Sequence, residues 1–219
     1  MIKKRFGRTF KNASRIVGVI CAAAAICALA LLAFALNGPS KAPLSAEKIS
    51  QVLENNEYSS PEMRTVTESA VSLVGKVHYF WGGKYDGLGP DPSWGEPRIV
   101  TSEGSVNTGK ELPWGLDCSG FVTWAFIQAG YTSSEIGHGT WNQWFASDEI
   151  SLAELRPGDL VFQNPYPGSS GNHVGICVGR LKGQPVAAHC SSAEDNVVVT
   201  YVSGIFNYAR RPILRGAAE

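Results

Sequence analysis

Apolar residues recur at helical spacing in three segments of the chain. This pattern predicts three helices, because residues three and four positions apart lie on one face of an α-helix. Ser60 and Pro61 are typical of a helix start, and Gly130 is typical of the residue just beyond a helix end. The predicted helices span residues 45–55, 61–75 and 118–129.

The C-terminal half has a different pattern, in which short β-branched and aromatic segments alternate with turn residues. Such segments predict strands joined by short turns. Helices followed by consecutive strands predict an α+β domain, with an antiparallel sheet packed by helices on one side. The predicted strands span residues 159–163, 173–179, 185–190, 197–202 and 206–211.

One long segment fits neither pattern. The 33 residues from Lys84 to Leu116, called the insertion below, show little periodicity and are rich in Gly, Pro, Asp, Ser and Trp. Such a composition disfavours both helix and strand, so we expect a long ordered loop there.

The N-terminal part combines a basic segment with a long apolar one. Residues 1–15 contain six Lys and Arg residues and no acidic residue, which is typical of a cytoplasmic flank. Residues 16–36 carry no charge and would reach about 31 Å as a helix, enough to cross the hydrocarbon core of a bilayer. We therefore expect a transmembrane signal anchor over residues 16–36, followed by a tether and short helix over residues 37–60.

This segment predicts that the rest of the chain is exported. An uncleaved anchor would give a single-pass protein of the cell membrane, with its folded domain outside the cytoplasm. The small-residue pattern at Ala33 and Ala35 leaves a cleaved signal peptide open, and cleavage would give a secreted protein.

Charge and cysteine content limit the possible partners. Six of the 19 basic residues precede residue 16, so 13 basic residues face 19 acidic ones in the rest of the chain, and no nucleic-acid partner is expected. Three cysteines lie outside the apolar segment: Cys118, Cys177 and Cys190. In an oxidising compartment an odd number of cysteines cannot all be paired within the chain, so at least one is a free or reactive thiol. No metal or other cofactor is expected, since neither C-x-x-C nor H-x-x-x-H spacing occurs.

Cys118 is the candidate nucleophile because it begins a predicted helix. Unpaired N–H groups and the helix dipole favour an anion in the first turn. Asp117 is a reasonable N-cap, but its negative charge opposes formation of a thiolate. A base must then take the proton from the thiol.

His173 and His189 are the candidates for that base and its partner. If the two strands that carry them pair as a hairpin centred near Lys182, residue 175 faces residue 189 and both histidines lie on one face. Their backbones would then be about 7 to 8 Å apart, a distance that two imidazoles can bridge. One ring could take the thiol proton while the other orients it. In the same register Cys177 and Cys190 face opposite ways, which disfavours a disulfide between them.

A series of motifs in this order resembles the NlpC/P60 family over roughly residues 66–211. The resemblance implies a papain-like fold for a catalytic domain at residues 61–215, and hydrolysis of peptidoglycan stem peptides, commonly between D-glutamate and a diamino acid. The motifs are Tyr79-x-Trp81-Gly82-Gly83, Asp117-Cys118-Ser119-Gly120-Phe121-Val122, Leu155-x-Pro157-Gly158-Asp159-Leu160-Val161, His173-Val174-Gly175-Ile176 and His189.

The resemblance also implies roles for single residues. Cys118 would be the nucleophile, His173 the base that later protonates the leaving amine, and His189 the orienting residue. Tyr79 resembles a tyrosine beside the nucleophile, which implies help in binding the oxyanion together with the N–H of Cys118. Asp117 and Ser119 resemble residues that bind a free L-alanine amine in some members, although capping alone would explain Asp117.

Two other functions fit the same residues. The same three residues would serve an amidase that cuts the muramoyl to L-alanine bond, and a wall-binding scaffold could keep the fold without catalysis. The insertion is longer than the usual link in the family. Trp94 and Trp114 could help it to select the stem peptide, or it could be a surface loop without substrate contact.

Overall fold

The computed structural model describes residues 41–167 and 172–214. The predicted basic flank (1–15) and membrane segment (16–36) lie outside these residues, as do residues 37–40 of the predicted tether. Among the residues that are described, no helix is long and apolar enough to cross a bilayer.

The three helices predicted from apolar spacing are present. The Ser60 side chain accepts a hydrogen bond from the N–H of Met63, and Pro61 occupies the first helical turn, where its missing N–H removes no bond. Gly130 follows the third helix with a φ of 88°, a conformation that glycine adopts without strain. Two further short helices were not predicted. Within the described residues, the α-helices are α1 (Ala46–Glu54), α2 (Pro61–Ser72), α3 (Cys118–Gln128), α4 (Ser133–Ile136) and α5 (Gly139–Phe145).

In the part of the chain that the structure describes, the strands form two antiparallel sheets. A small hairpin within the insertion pairs β1 (Pro97–Ile99) with β2 (Glu111–Pro113). The main sheet has the spatial order β3, β8, β4, β5, β6, β7. Its strands are β3 (Ser147–Ile150), β4 (Leu160–Phe162), β5 (Val174–Leu181), β6 (Gln184–Ser191), β7 (Asn196–Tyr201) and β8 (Tyr208–Pro212).

Helices pack on one face of the main sheet, as the pattern predicts. The larger core joins apolar residues of α1, α2 and α3, such as Ile49, Val66 and Phe121, to Ile176 and Ala188 of the sheet. Because α1 is part of this core, the helix that follows the tether packs with the domain. The opposite face carries a smaller apolar cluster, consisting of Leu155, Val161, Cys177, Ala187, Val202, Phe206 and Ala209.

The connection between β5 and β6 is shorter than the predicted one, which spanned residues 179–184. It is a two-residue turn, in which Lys182 and Gly183 have φ values of 52° and 79°. Positive φ at both central residues is typical of the type I′ turn that joins twisted antiparallel strands. The first pair of the ladder is therefore Leu181 with Gln184.

A β-bulge in β5 changes the register before the histidines are reached. Beyond the bulge Ile176 pairs with Ala188, whereas an unbroken ladder from the turn would pair Ile176 with His189. A change of one residue exchanges the two faces of a strand. His173 and His189 consequently lie on one face, as predicted, but the bulge produces this result and the sequence pattern did not reveal it.

The bulge is supported by the residue that follows α1 by two positions. The side-chain amide of Asn56 donates to the carbonyl of Val178 at 2.8 Å. Gly179 has a φ of 133°, and a Cβ at this position would lie 2.1 Å from Oδ1 of Asn56 and 2.7 Å from Cγ1 of Val52. The close approach of α1 to β5 therefore requires glycine at position 179.

Candidate active site

Cys118 is the first residue of α3, and Asp117 is the N-cap, as predicted. The cysteine is buried, with 6% of its surface exposed. Burial raises the pKa of Cys118 to about 12, and the charge of Asp117 adds to this effect. The backbone N–H of Val174 and the charge of Lys84 lower the same pKa. The free protein therefore holds Cys118 as a neutral thiol at neutral pH.

The two histidines and a threonine form a chain of hydrogen bonds. Nε2 of His173 lies 2.9 Å from Nδ1 of His189, and Nε2 of His189 lies 3.1 Å from Oγ1 of Thr200. Burial lowers the pKa of His173 to about 4. Burial, together with the neighbouring His173, lowers the pKa of His189 to about 3. Both imidazoles are therefore neutral at pH 7.

Phe206 fixes the orientation of both rings. Its ring stacks on His173 with centroids 5.4 Å apart and contacts His189 edge-on at 5.4 Å. Gly175 leaves room for this arrangement, because a Cβ there would lie 3.2 Å from Cβ of His189 and 3.2 Å from Cζ of Phe206. The glycine in the His173-Val174-Gly175 motif thus lies against the second histidine.

Tyr79 reaches the site from the segment that precedes the insertion. It forms an isolated parallel β-bridge with Leu116, and its N–H donates to Oδ1 of Asp195 at 3.0 Å. Burial raises the pKa of Tyr79 above its ordinary value, and the nearby Cys118 raises it further. The phenol therefore stays protonated and can donate a hydrogen bond.

Asp117 and Ser119 lie together with a residue that the sequence did not single out. Oγ of Ser119 donates to Oδ1 of Asp117 at 2.8 Å. The ammonium of Lys84 donates to Oδ2 of Asp117 and, at 2.9 Å, to Oγ of Ser119. Both of the residues that the family resemblance assigns to amine binding are thus bonded to an ammonium of the chain itself.

A cavity of about 410 Å³ opens beside the thiol. Three of the six predicted site residues, Tyr79, Cys118 and His173, line the cavity. His189 does not line it but is hydrogen-bonded to His173. Asp117 and Ser119 are not among the lining residues. The cavity is lined by Tyr79, Trp81, Cys118, Gln163, Asn172, His173, Ser191, Ser192 and Ala193.

The insertion is anchored to α3 and also contacts one wall of the cavity. Trp94 packs edge-on against Trp124 of α3, with ring centroids 5.9 Å apart. Nε1 of Trp81 donates to the carbonyl of Glu103 at 2.9 Å. Trp94 and Trp114 are not among the residues that line the cavity. The insertion therefore contacts Trp81, which lines the cavity, whereas the two tryptophans of the insertion do not line it.

Sequence reasoning missed three residues of the site, and only one of them carried a signal. Thr200 lies two positions from Val198, which pairs with His189, so a register for β6 and β7 would have placed Thr200 on the face of His189. Lys84 and Phe206 reach the site from irregular segments. Neither residue type nor spacing indicates such contacts.

The other two cysteines within the described residues are buried and free. Cys177 belongs to the smaller apolar cluster and Cys190 to the larger core, on opposite faces of the sheet. Throughout residues 41–167 and 172–214, no group of three or more His, Cys, Asp or Glu side chains is arranged to hold a metal ion.

The sequence is similar to that of a known family of proteins. Residues 76–206, more than half of the chain, match the sequence model of the NlpC/P60 family. The probable endopeptidase p60 of Listeria seeligeri is 36% identical over 105 residues, which are 45% of this chain and 18% of that protein. The peptidoglycan endopeptidase RipA of Mycolicibacterium smegmatis is 28% identical over 156 residues, which are 71% of this chain and 27% of that protein.

The chain thus spans only between 18% and 27% of the length of these two curated relatives. Among solved structures, the peptidoglycan hydrolase RipB of Mycobacterium tuberculosis aligns with a TM-score of 0.49 and 24% identity. That alignment covers 77% of this chain and 68% of the other.

Proposed function

Because the chain belongs to the NlpC/P60 family, we propose that it hydrolyses peptidoglycan stem peptides as a cysteine endopeptidase. Cys118 is the nucleophile, His173 the base and His189 the orienting residue. The observation that carries the proposal is the hydrogen-bonded chain from His173 through His189 to Thr200, beside a thiol at the start of α3. The similarity to RipA, which is named a peptidoglycan endopeptidase, supports the same substrate class.

One arrangement of protons lets His173 act as the base. Its Nε2 contacts His189, which leaves Nδ1 to accept the thiol proton. Nε2 of His173 then donates to Nδ1 of His189, and Nε2 of His189 donates to Oγ1 of Thr200. The buried hydroxyl of Thr200 can accept this last hydrogen bond, which completes the arrangement.

The reaction proceeds through a thioester. The Cys118 thiol gives its proton to His173 as the sulfur attacks the peptide carbonyl carbon. The C–N bond then breaks, and the leaving amine takes this proton from His173. Water next gives a proton to His173 and attacks the thioester carbon. The C–S bond then breaks, the acid product leaves, and the sulfur regains the proton from His173. Because the free thiol and imidazole are both neutral, a thiolate–imidazolium pair is not the resting state of the free protein.

The protonated phenol of Tyr79 supports a role in binding the oxyanion. Its side chain lines the cavity together with Cys118, and its raised pKa keeps the O–H as a donor. The backbone N–H of Cys118 is the second proposed donor. Hydrogen bonds to the developing negative charge lower the barrier to acyl transfer.

The bond cleaved and the location belong to the same proposal. We place the cut between D-glutamate and the diamino acid, and the domain outside the cytoplasm, attached through residues 16–36 or secreted after cleavage. The domain assignment, with the catalytic part at residues 61–215, is likewise proposed on the family resemblance.

Digestion of purified muropeptides tests the proposal. The wild-type chain and Cys118→Ala are compared, and the products are identified by mass spectrometry. We expect cleavage between D-glutamate and the diamino acid, and a loss of about 1,000-fold or more in the mutant, since removal of a catalytic nucleophile has effects of this order.

Other products would favour the other functions. Release of intact stem peptide from the muramoyl group would indicate an amidase. Binding of muropeptides without any cleavage would indicate a wall-binding scaffold.

A further inference from the structure

The carboxylate beside the nucleophile is occupied from within the chain. Oδ1 of Asp117 accepts hydrogen bonds from the N–H of Gly120 at 2.7 Å and from Oγ of Ser119 at 2.8 Å. Oδ2 accepts from the ammonium of Lys84. The Asp117 side chain is only 11% exposed, so water compensates little of its charge and the pairing with Lys84 is correspondingly important.

The backbone holds Lys84 in this position. The carbonyl of Gly83 accepts the N–H of Asp117 at 3.1 Å, which ties the segment before Lys84 to the start of α3. A Cβ at Gly120 would lie 2.1 Å from the Gly83 carbonyl oxygen and 3.1 Å from Cδ of Lys84. Lys84 therefore lies across the helix start in a contact that requires glycine at position 120.

This arrangement sets the charge at the start of α3, next to the cavity-lining Cys118, although Lys84 and Asp117 do not themselves line the cavity. The charges of Lys84 and Asp117 offset each other, so a substrate ammonium would meet a compensated carboxylate and a neighbouring like charge. Lys84 uses two of its three N–H donors, on Asp117 and Ser119. Its side chain is 29% exposed, so the third donor can reach a carbonyl or carboxylate oxygen of a ligand.

We propose that Lys84 is a specificity-determining residue, which makes the site select stem peptides with an acylated amino end over stem peptides with a free ammonium. The inference rests on the proposed hydrolysis of stem peptides, and on the family resemblance that directs their amino end toward Asp117 and Ser119. A stem still joined to its glycan strand has an amide carbonyl where a released stem has an ammonium. The chain then acts before any reaction that frees the stem from the glycan.

Two versions of one synthetic stem peptide test the inference, one with a free amino end and one N-acetylated. The ratio of kcat/KM for the two peptides is measured for the wild type and for Lys84→Met, which keeps the length of the side chain and removes its charge. We expect the wild type to prefer the acetylated peptide by about tenfold or more, and Lys84→Met to lose that preference.

Two further variants control for folding. Lys84→Arg retains the positive charge and should keep the preference of the wild type. Lys76→Met removes an exposed lysine from the segment before Tyr79 and should leave the ratio unchanged. A Lys84→Met protein with the wild-type ratio, or a wild type that prefers the free amine, would overturn the inference.

Binding separates this inference from the proposed hydrolysis. Dissociation constants of both peptides are measured by calorimetry with Cys118→Ala, alone and combined with Lys84→Met. If the peptides bind and the wild type cleaves neither, the proposed hydrolysis fails and the ratio of dissociation constants decides the role of Lys84. If neither peptide binds, both proposals fail.

Discussion

In the proposed arrangement of protons, the hydroxyl of Thr200 is the last acceptor in the chain of hydrogen bonds that begins at His173. His189 is buried, and its Nε2 lies 3.1 Å from Oγ1 of Thr200. Without this acceptor, the proton on Nε2 of His189 would move to Nδ1 of the same ring. Nδ1 of His189 would then donate to Nε2 of His173, which reverses the hydrogen bond between the two rings. Nδ1 of His173 would then carry a proton and could not act as the base.

Thr200→Val should therefore lower both kcat and the stability of the domain. The substitution keeps the shape of the side chain and removes the hydroxyl, which leaves the buried Nε2 of His189 without a partner at a cost of about 1 to 3 kcal/mol. We expect kcat to fall by about tenfold, in keeping with the effect of an incorrectly oriented base. Muropeptide cleavage rates and thermal unfolding would be measured together.

Thr200→Ser is the matched control, because it keeps the hydroxyl. It should retain most of the activity. Equal kcat values for Thr200→Val and the wild type would show that the threonine does not determine the tautomer.

At the level of elements, the bulge in β5 decides whether the site can assemble. The two-residue turn alone would place His173 and His189 on opposite faces, and the extra residue at Val178 restores the common face. The carbonyl of Val178 is bonded by the side chain of Asn56. A residue just beyond α1 thus supports the geometry of the histidines from the other side of the sheet.

Asn56→Ala should consequently reduce both stability and activity. The change removes the partner of the Val178 carbonyl, for which we expect a loss of about 1 to 2 kcal/mol in the free energy of unfolding. Because the bulge then loses its support, we also expect a lower kcat at temperatures where the protein remains folded. Urea unfolding and muropeptide cleavage would be measured on the same samples.

Asn55→Ala provides the comparison. Asn55 is the neighbouring asparagine, and its exposed side chain donates a hydrogen bond to the carbonyl of Gln51 in α1. This change should have little effect on kcat. If both variants lose the same activity, the bulge does not depend on Asn56.

Regular apolar spacing predicts most of the helices and strands of the domain, but not all of them. Spacing predicted α1, α2 and α3 because each has regular apolar positions, and it predicted five strands of the main sheet. It missed β3, whose sequence Ser147-Asp148-Glu149-Ile150 has no alternation, and it missed the short α4 and α5. The two histidines were correctly predicted to share one face, but the predicted turn between their strands was wrong. The bulge that brings them to one face has no signature in the periodicity.

For the site, the sequence indicated the residues with distinctive chemistry. It did not indicate the residues that form hydrogen bonds or an ion pair with them. Cys118 and the two histidines follow from residue type and position. Lys84 and Thr200 are common residue types, and their importance depends on contacts between segments that are far apart in the chain. Such contacts can be predicted only after the register of the sheet is known.

At the scale of the whole molecule, the fold holds His173 and His189 uncharged. Phe206 covers both rings, and apolar residues of the smaller cluster pack around it. Burial in such surroundings disfavours the imidazolium form, which is why the pKa values of His173 and His189 are lowered. The folded state therefore resists protonation at these positions, whereas the unfolded chain does not.

This difference predicts how the stability of the domain depends on pH. The pKa of His189 is lowered to about 3 in the folded protein, and a histidine in an unfolded chain has a pKa of about 6.5. Between these two values the unfolded state binds a proton that the folded state does not bind. The free energy of unfolding should thus fall as the pH decreases, by about 1.4 kcal/mol per pH unit for this one residue.

His189→Gln isolates the contribution of this residue, because the amide does not titrate and can still bond to His173. Urea unfolding of the wild type and the variant would be measured between about pH 7 and about pH 5, where the unfolded chain takes up the proton. The free energy of unfolding should change less steeply with pH in the variant than in the wild type. At the acidic end of this range the two slopes should differ by about 1.4 kcal/mol per pH unit. Parallel slopes would mean that the folded protein binds the proton at His189 as readily as the unfolded chain, and the neutral imidazole on which the proposed mechanism depends would then have to be abandoned.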